Sequence, residues 1–268
     1  MPSTKIAAGK NWSLFHGSCI SALEAIPEGS IDVIFADPPY NLSNDGMTCS
    51  SGRWKSVNKG AWDKSRGVEE DFSFHRTWIQ SCRRALKPNG TIWISGTYHS
   101  IYSCAFALQQ DHWTVLNDIC WYKRNAPPNL SCRYFTASHE TLIWAKKSKK
   151  ARHTFNYAEI KADDGSEDTL KKPNKQARSV WSFAPPSLYE KRFGKHPTQK
   201  PEALLERIVL ASTQPGEVVL DPFCGSGTTG VAALRMGRKF VGIDLDSNFL
   251  GNIALKRLAD EEKNYGKP

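Results

Sequence analysis

Three short runs constrain this chain more than anything else in it: "IDVIFAD" (Ile31–Asp37), "EVVLD" (Glu217–Asp221) and "KFVGID" (Lys239–Asp244). Each is apolar, rich in β-branched residues and closed by an aspartate, the pattern of a buried strand with an acid at its exit. Stretches with helical period stand between and around them. Strand and helix in alternation predict an α/β fold with a doubly wound, mostly parallel sheet. In such a sheet ligands bind outside the carboxyl ends of the strands. The three aspartates therefore mark one edge as the place to look for chemistry.

Further strands are predicted at "WSLFHG" (Trp12–Gly17), "TIWISG" (Thr91–Gly96), "TVLNDICWYK" (Thr114–Lys123) and "HETLIWAKK" (His139–Lys147). Helices are predicted over Ser18–Ile26, Asp71–Leu86, Tyr98–Gln110, Ala203–Ser212 with Pro201 at its start, Gly227–Gly237 and Ser247–Glu261. "KPNG" (Lys87–Gly90) stops the second helix, with Pro88 and Gly90 as punctuation. Asn41–Glu70, rich in Gly, Ser, Asn and Lys, reads as a long mobile loop. Ser148–Gly194 is polar and basic without a clear period and reads as an insertion or a loosely built second lobe.

The chain has 268 residues, 40% hydrophobic and 24% charged, as a soluble globular protein with a sizeable core would be. No apolar run approaches the roughly 20 residues of a membrane span. "MPSTKIAAGKNW" lacks the apolar centre of a signal peptide, so a cytoplasmic protein with no membrane partner is expected. The seven cysteines are odd in number and form no CxxC, which argues against a disulfide framework and against a zinc or other metal site. Net charge is +9, and its distribution says more: Trp121–Lys200 holds 17 Lys and Arg against seven Asp and Glu. One segment thus carries the whole excess. That asymmetry suits a polyanion such as nucleic acid; the plainer reading is a solvated basic face.

In "VVLDPFCGSGTT" a strand ends at Asp221, a turn with Gly225 and Gly227 follows, and a helix begins. Glycines there let a ligand approach the backbone at a strand's carboxyl end. It is not a phosphate loop, because no GK[ST] follows. The next strand ends at Asp244, where a carboxylate can accept from two ribose hydroxyls; the plainer role, capping the following helix, can fall to Asp246. A nucleoside-containing cofactor is the reading that uses both. In "DPPY" (Asp37–Tyr40), the Pro-Pro turn offers carbonyl acceptors and no N–H donor. Asp37, such a carbonyl and the flat Tyr40 ring match a planar base bearing an exocyclic amino group. A proline-ended strand with a packed tyrosine is the alternative.

Taken together, "DPPY", "DPFCGSGTT", "GID" and "HPTQKP" resemble the amino-group DNA methyltransferases that use S-adenosylmethionine. The catalytic motif precedes the cofactor motif, the circularly permuted order of the β class, with the basic region between. "NKGAWDK", "WISG", "PNLSCRYF", "HETLIWAKK" and "GKHPTQKPEALLER" are most similar to the DpnA-type adenine methyltransferases. The GANTC methyltransferases share much of this and carry a C-terminal extension.

The resemblance implies a Rossmann-like methyltransferase fold: 1–147 as the catalytic half of the sheet, 148–194 as a target-recognition insertion and 195–268 as the cofactor-binding half. It implies Asp37, Pro38, Pro39 and Tyr40 as catalytic, with Asp37 and the Pro38 carbonyl accepting the two N–H groups of the target amine and Tyr40 stacking on a base flipped out of the duplex. S-adenosylmethionine would meet Ser18, Cys19, Asp37, Lys200, Pro201, Asp221, Phe223, Cys224, Gly225, Ser226, Gly227, Thr228, Asp244 and Leu245. Ser18 replaces the acid often found at its position, and Lys200 would face the methionine carboxylate. His196 reads as structural. Target readout is expected within Lys123–Gly194, with Arg124, Asn125, Asn129, Arg133 and Tyr134 as the candidate DNA contacts. Asp as first residue of the tetrapeptide points to adenine N6 in this family. The implied function is GATC-directed adenine methylation beside a restriction enzyme. GANTC specificity, cytosine-N4 or RNA methylation and a non-catalytic nucleic-acid-binding relative are the alternatives. Double-stranded DNA is the expected partner; single-stranded DNA and a homodimer stay open.

Overall fold

In the computed structural model of the protein, the described residues are 3–41, 43, 47–50, 53–56, 63–162, 168, 172 and 175–264, with backbone alone at 47–50 and 53–56. The strands are β1 (Thr4–Ala8), β2 (Trp12–His16), β3 (Ile31–Ala36), β4 (Met47–Ser50), β5 (Arg53–Ser56), β6 (Leu86–Gly96), β7 (Thr114–Tyr122), β8 (His139–Lys146), β9 (Val180–Trp181), β10 (Val218–Asp221) and β11 (Lys239–Asp244). Nine of them form one sheet in the order β1-β2-β11-β10-β3-β6-β8-β7-β9, while β4 and β5 form a separate hairpin. From β2 to β6 every neighbouring pair is parallel. β8 runs antiparallel between β6 and β7, and β1 antiparallel to β2.

The chain order explains the ligand edge. The last strands, β10 and β11, insert between β2 and β3 from the beginning of the chain. Strand order therefore reverses around β10, and the crevice above its carboxyl end is where such sheets bind ligands.

Helices cover both faces, as the doubly wound reading requires. Along β3, Ile34 and Ala36 face a core shared with α1 (Cys19–Ala25), α2 (Val68–Ala85) and α3 (Ile101–Gln110). Val33 and Phe35 face the other side, under α5 (Glu202–Ser212). The period of two in an apolar run is thus spent on two cores rather than on core and solvent. Beyond α5, α6 (Thr228–Arg235) and the C-terminal helix α8 (Leu255–Asn264) pack over β2, β10 and β11.

Several expectations move. "KPNG" ends α2 as predicted but lies within β6, where the register with β3 shifts between Ile31–Leu86 and Val33–Thr91. A bulge tolerates Pro and Gly that a regular ladder would not. The closing helix is interrupted: α7 (Ser247–Phe249), capped by Asp246, leads into a π-helical turn over Leu250–Ala254 before α8. Of the predicted loop Asn41–Glu70, residues 42, 44–46, 51–52 and 57–62 lie outside the described residues; 47–50 and 53–56 form the β4–β5 hairpin, and α2 already begins at Val68.

Among the described residues, 148–194 do not form a second lobe. α4 (Tyr157–Ala162) lies beside α5, and the Asn156 side chain donates to the carbonyls of Leu210 and Thr213 at the end of α5. β9 extends the main sheet at β7, and Trp181 and Phe183 are core residues. Sequence periodicity missed this because a two-residue strand carries no period. Among the described residues no helix is long and apolar enough to cross a membrane.

Candidate active site

β3, β10 and β11 run side by side and end at one edge, and the next or last residue of each is an aspartate: Asp37, Asp221, Asp244. All three line a single cavity of about 700 Å3. The whole DPPY tetrapeptide lines it too, as do Ser18, Cys19, Lys200, Phe223, Cys224, Gly225, Ser226, Thr228 and Leu245. Pro201 and Gly227 do not. Pro201 caps α5 from outside the cavity, and Gly227, at φ +75°, presses on the π-helical turn, where an added Cβ would come within 3.2 Å of Ala254.

The glycine-rich turn is held at both ends. Asp221 accepts from the Phe223 amide (3.0 Å) and the Thr229 hydroxyl (2.6 Å). Asp244 accepts from the Gly225 amide (2.7 Å) and the Asp246 amide (2.9 Å). Gly225 has φ +47°, and a Cβ there would meet the His196 ring at 2.9 Å, so only glycine fits. His196 itself packs edge-on against Phe249 and lines the same cavity. From behind, the guanidinium of Arg257 donates to the Ser226 carbonyl (3.0 Å) and the Thr228 hydroxyl (2.8 Å) and pairs with Glu202 at 2.6 Å. Burial pushes Asp221 up to about 7, partly offset by its two hydrogen bonds and reinforced by the charges of Asp37 and Asp244. Burial likewise raises Asp244.

At the other end of the cavity the electrostatics reverse. Lys200, 7% exposed, pairs with Asp37 and lies 3.6 Å from Glu140. The Tyr40 hydroxyl stands between the same two carboxylates, hydrogen-bonded to Asp37 and 3.1 Å from Glu140. Lys123 pairs with the outer oxygen of Glu140. Burial alone would raise Glu140; Lys200 and Lys123 outweigh it and hold the carboxyl down at about 2. The Tyr40 ring is 5% exposed, and its phenol is pushed well up by burial and by the neighbouring carboxylates. Tyr40 nevertheless lines the cavity, beside Asp37. Lys200, expected at a methionine carboxylate, has its charge matched by two carboxylates of the chain.

Three contributors escaped the sequence reading. Asp63, fully buried, accepts from the amides of Tyr40 and Asn41 (both 2.9 Å) and from Ser43, fixing the turn after DPPY. Glu140 was visible only as the acid near the start of "HETLIWAKK". Arg257 gave no signal, since a basic residue in an amphipathic helix reads as solvated. Cys19 and Cys224 are pushed up by burial, Cys19 to about 12, and so stay protonated and weakly nucleophilic.

The candidate DNA contacts sit on the loop between β7 and β8. β7 is parallel to β6, so this loop leaves the sheet at the same edge as Asp37, with Lys123 and Glu140 at its two feet. Asn125, Arg133 and Tyr134 are exposed, and Phe135 is 98% exposed. Asn129 instead builds the loop: its amide donates to the Tyr134 carbonyl (2.8 Å) and its oxygen accepts from Ser131. Arg124 donates to the Ser182 hydroxyl (2.8 Å). The basic run Lys146–Arg152 follows the far end of β8 and lies at the opposite edge of the sheet, eight strand residues or roughly 25 Å from the cavity.

S-adenosylmethionine fits this cavity on chemical grounds. The cofactor is a cation at sulfur, and the cavity is lined by the carboxyls of Asp221 and Asp244, neither in an ion pair among the described residues. Asp244 spends one lone pair of each oxygen on an amide and keeps the others for hydroxyl donors. The Gly225 turn leaves backbone open where a side chain would stand.

The profile of the DNA methylase family matches residues 31–255. The chain is 53% identical over 251 residues to the type II methyltransferase M2.LlaDCHI of Lactococcus lactis subsp. cremoris, covering 93% of this chain and 90% of that one. It is 52% identical over 253 residues to the type II methyltransferase M2.DpnII of Streptococcus pneumoniae, with the same coverage. Among solved structures, M1.HpyAVI in complex with SAM superposes with a TM-score of 0.65 at 27% identity, covering 92% of this chain and 98% of that one. The cytosine-N4-specific PvuII DNA methyltransferase shares the fold at a TM-score of 0.70 and 17% identity, over 96% and 93% of the two chains. A strand-end cavity with a glycine turn, uncompensated acids and an intact DPPY tetrapeptide is therefore found in a chain that belongs to the DNA methylase family, a site-specific DNA methyltransferase that uses S-adenosylmethionine.

Proposed function

We propose that the chain methylates adenine at N6 within GATC, as the modifying partner of a restriction enzyme. The observation that carries the adenine reading is Asp37, a carboxylate at the end of β3 in the same cavity as the cofactor turn. Bound S-adenosylmethionine supplies an electrophilic methyl group. The residues have to supply a nitrogen able to take it, and an adenine amino nitrogen is a poor nucleophile because its lone pair is delocalised into the ring. Asp37 and the Pro38 carbonyl, accepting its two N–H groups, localise that pair and stabilise the positive charge that develops. Pro38 and Pro39 hold the acceptors rigidly, with Asp63 fixing the chain that follows. Asp244 and the Gly225 turn hold the nucleoside end of the cofactor, and Asp37 is within the same cavity to orient the two reactants. The target amine lies inside a duplex, so the base is flipped out to reach it.

GATC rests on the similarity to DpnA-type enzymes, which is dense in "APPNLSCRYFTASHETLIWAKK", the β7–β8 loop and β8. The test is digestion of plasmid DNA methylated to completion by the protein. An endonuclease blocked by adenine methylation at GATC should fail to cut, while GANTC sites stay open. Full cleavage at GATC after complete methyl incorporation sinks the specificity, and methyl recovered on cytosine sinks the adenine assignment.

A further inference from the structure

Both oxygens of Asp37 are engaged by groups of the chain itself. One of its oxygens accepts from the Tyr40 hydroxyl and the other from the Lys200 ammonium. The ammonium also offsets much of the carboxylate's charge, and that charge is what a nitrogen becoming positive needs. Both donors are buried, so neither can be set aside without leaving a buried hydroxyl or ammonium unpartnered. Glu140 lies within reach of both. Its Oε2 is 3.1 Å from the Tyr40 hydroxyl and 3.6 Å from Lys200 Nζ, while Lys123 pairs with its Oε1. Ser95, 3.2 Å from the Tyr40 hydroxyl and 3.5 Å from Glu140 Oε2, closes the group. Tyr40 has a single hydroxyl proton for two carboxylates, and turning the O–H moves it from one to the other. Lys200 needs a shift on the order of 1 Å to reach a normal charged hydrogen bond with Glu140.

We propose that Glu140 is a positioning residue: it takes over Lys200 and the Tyr40 hydroxyl when the target amino group reaches Asp37, so that Asp37 meets the amine with its charge free. This rests on the reading of Asp37 as the acceptor of that amine. Two carboxylates and two lysines keep the group neutral throughout, so the exchange moves hydrogen bonds and leaves no charge buried alone. Lys123, anchored at the foot of the DNA-facing loop, keeps Glu140 turned inward.

The test measures single-turnover methyl transfer alongside equilibrium binding. Glu140→Gln should slow transfer at least 30-fold while the affinities for S-adenosylmethionine and for cognate duplex change less than threefold. Tyr40→Phe should slow transfer several-fold in the native background and less than twofold beside Glu140→Gln, because the two act as one unit. Binding supplies a second readout. The native protein should prefer a duplex whose target base is adenine to one carrying purine, which lacks the amino group, and Glu140→Gln should erase that preference. If Glu140→Gln does not fold, Lys123→Met at the accessible end of the group should slow transfer about fivefold, with recovery in Lys123→Arg. Native-like transfer in Glu140→Gln, or a loss of cofactor and DNA affinity that matches the loss of rate, overturns the proposal. Native-like transfer in Asp37→Asn overturns the reading beneath it instead.

Discussion

At the end of β3, two carboxylates, Glu140 buried and Asp37 half-buried, face two lysines; at the ends of β10 and β11, buried Asp221 and half-buried Asp244 face amides and a hydroxyl. Burial acts alike at both poles, but the outcome is opposite. Glu140 is held at about 2 by its lysines, while Asp221 rises to about 7. Strand position therefore decides where an acid stands and its partners decide what it can do. The pole around Asp37 is electrically balanced and suits a group that arrives neutral. The pole around Asp221 and Asp244 has no cation of the chain beside it, so burial favours the neutral carboxyls there and a cationic ligand would draw them back toward the charged form.

The separation of the poles can be broken by experiment. Asp37→Ala should lower methyl transfer by roughly 10³-fold, on the scale of losing a preorganised charge-stabilising group, with S-adenosylmethionine affinity within about threefold of native. A parallel loss of cofactor affinity would merge the two poles into one. Asp221→Asn tests the second pole through pH. A carboxyl raised from 3.8 to about 7 on folding makes the folded protein hold a proton that the unfolded chain releases. Its stability contribution is fully present below about pH 4 and lost as pH rises through 7. The variant should thus gain on the native protein by about 2–4 kcal/mol between those limits, read from urea midpoints. Glu140 slopes the other way, losing its contribution as pH falls through about 2. Asp244→Ala should raise the dissociation constant for S-adenosylmethionine about 30-fold, the worth of two ribose hydrogen bonds, as measured by calorimetry. Unchanged affinity removes Asp244 from the cofactor site. Arg133→Ala, on the loop rooted at the first pole, should cost about tenfold in discrimination at one base pair. An equal loss on cognate and single-mismatch duplexes, with a shallower salt dependence, assigns it to phosphate instead.

Most of the ligand edge was legible because its signals are local. A run such as "EVVLD" followed by Gly225 and Gly227 carries strand, turn and acid within a dozen residues, and the structure puts Asp221 and Gly225 on one cavity. Asp63 and Glu140 were not legible as site residues, because each acts across the fold on Tyr40, 23 and 100 positions away. The loop-building bonds of Asn129 were not legible either: its amide donates to the Tyr134 carbonyl, a contact that residue type and charge do not announce.

What the sequence determined by itself was therefore the sheet, its parallel sense, the edge that binds ligands and the family's motifs, since these follow from the period of apolar residues and from turn chemistry a few residues long. Tertiary structure alone decided the charge of the site. It brought Lys200 from the start of α5 onto Asp37, and Glu140 and Lys123 from the feet of one loop onto the same spot. It also carried the basic run after β8 to the opposite edge, away from the cavity. Electrostatic energy depends on distance in space and on burial, and neither is a property of spacing along the chain.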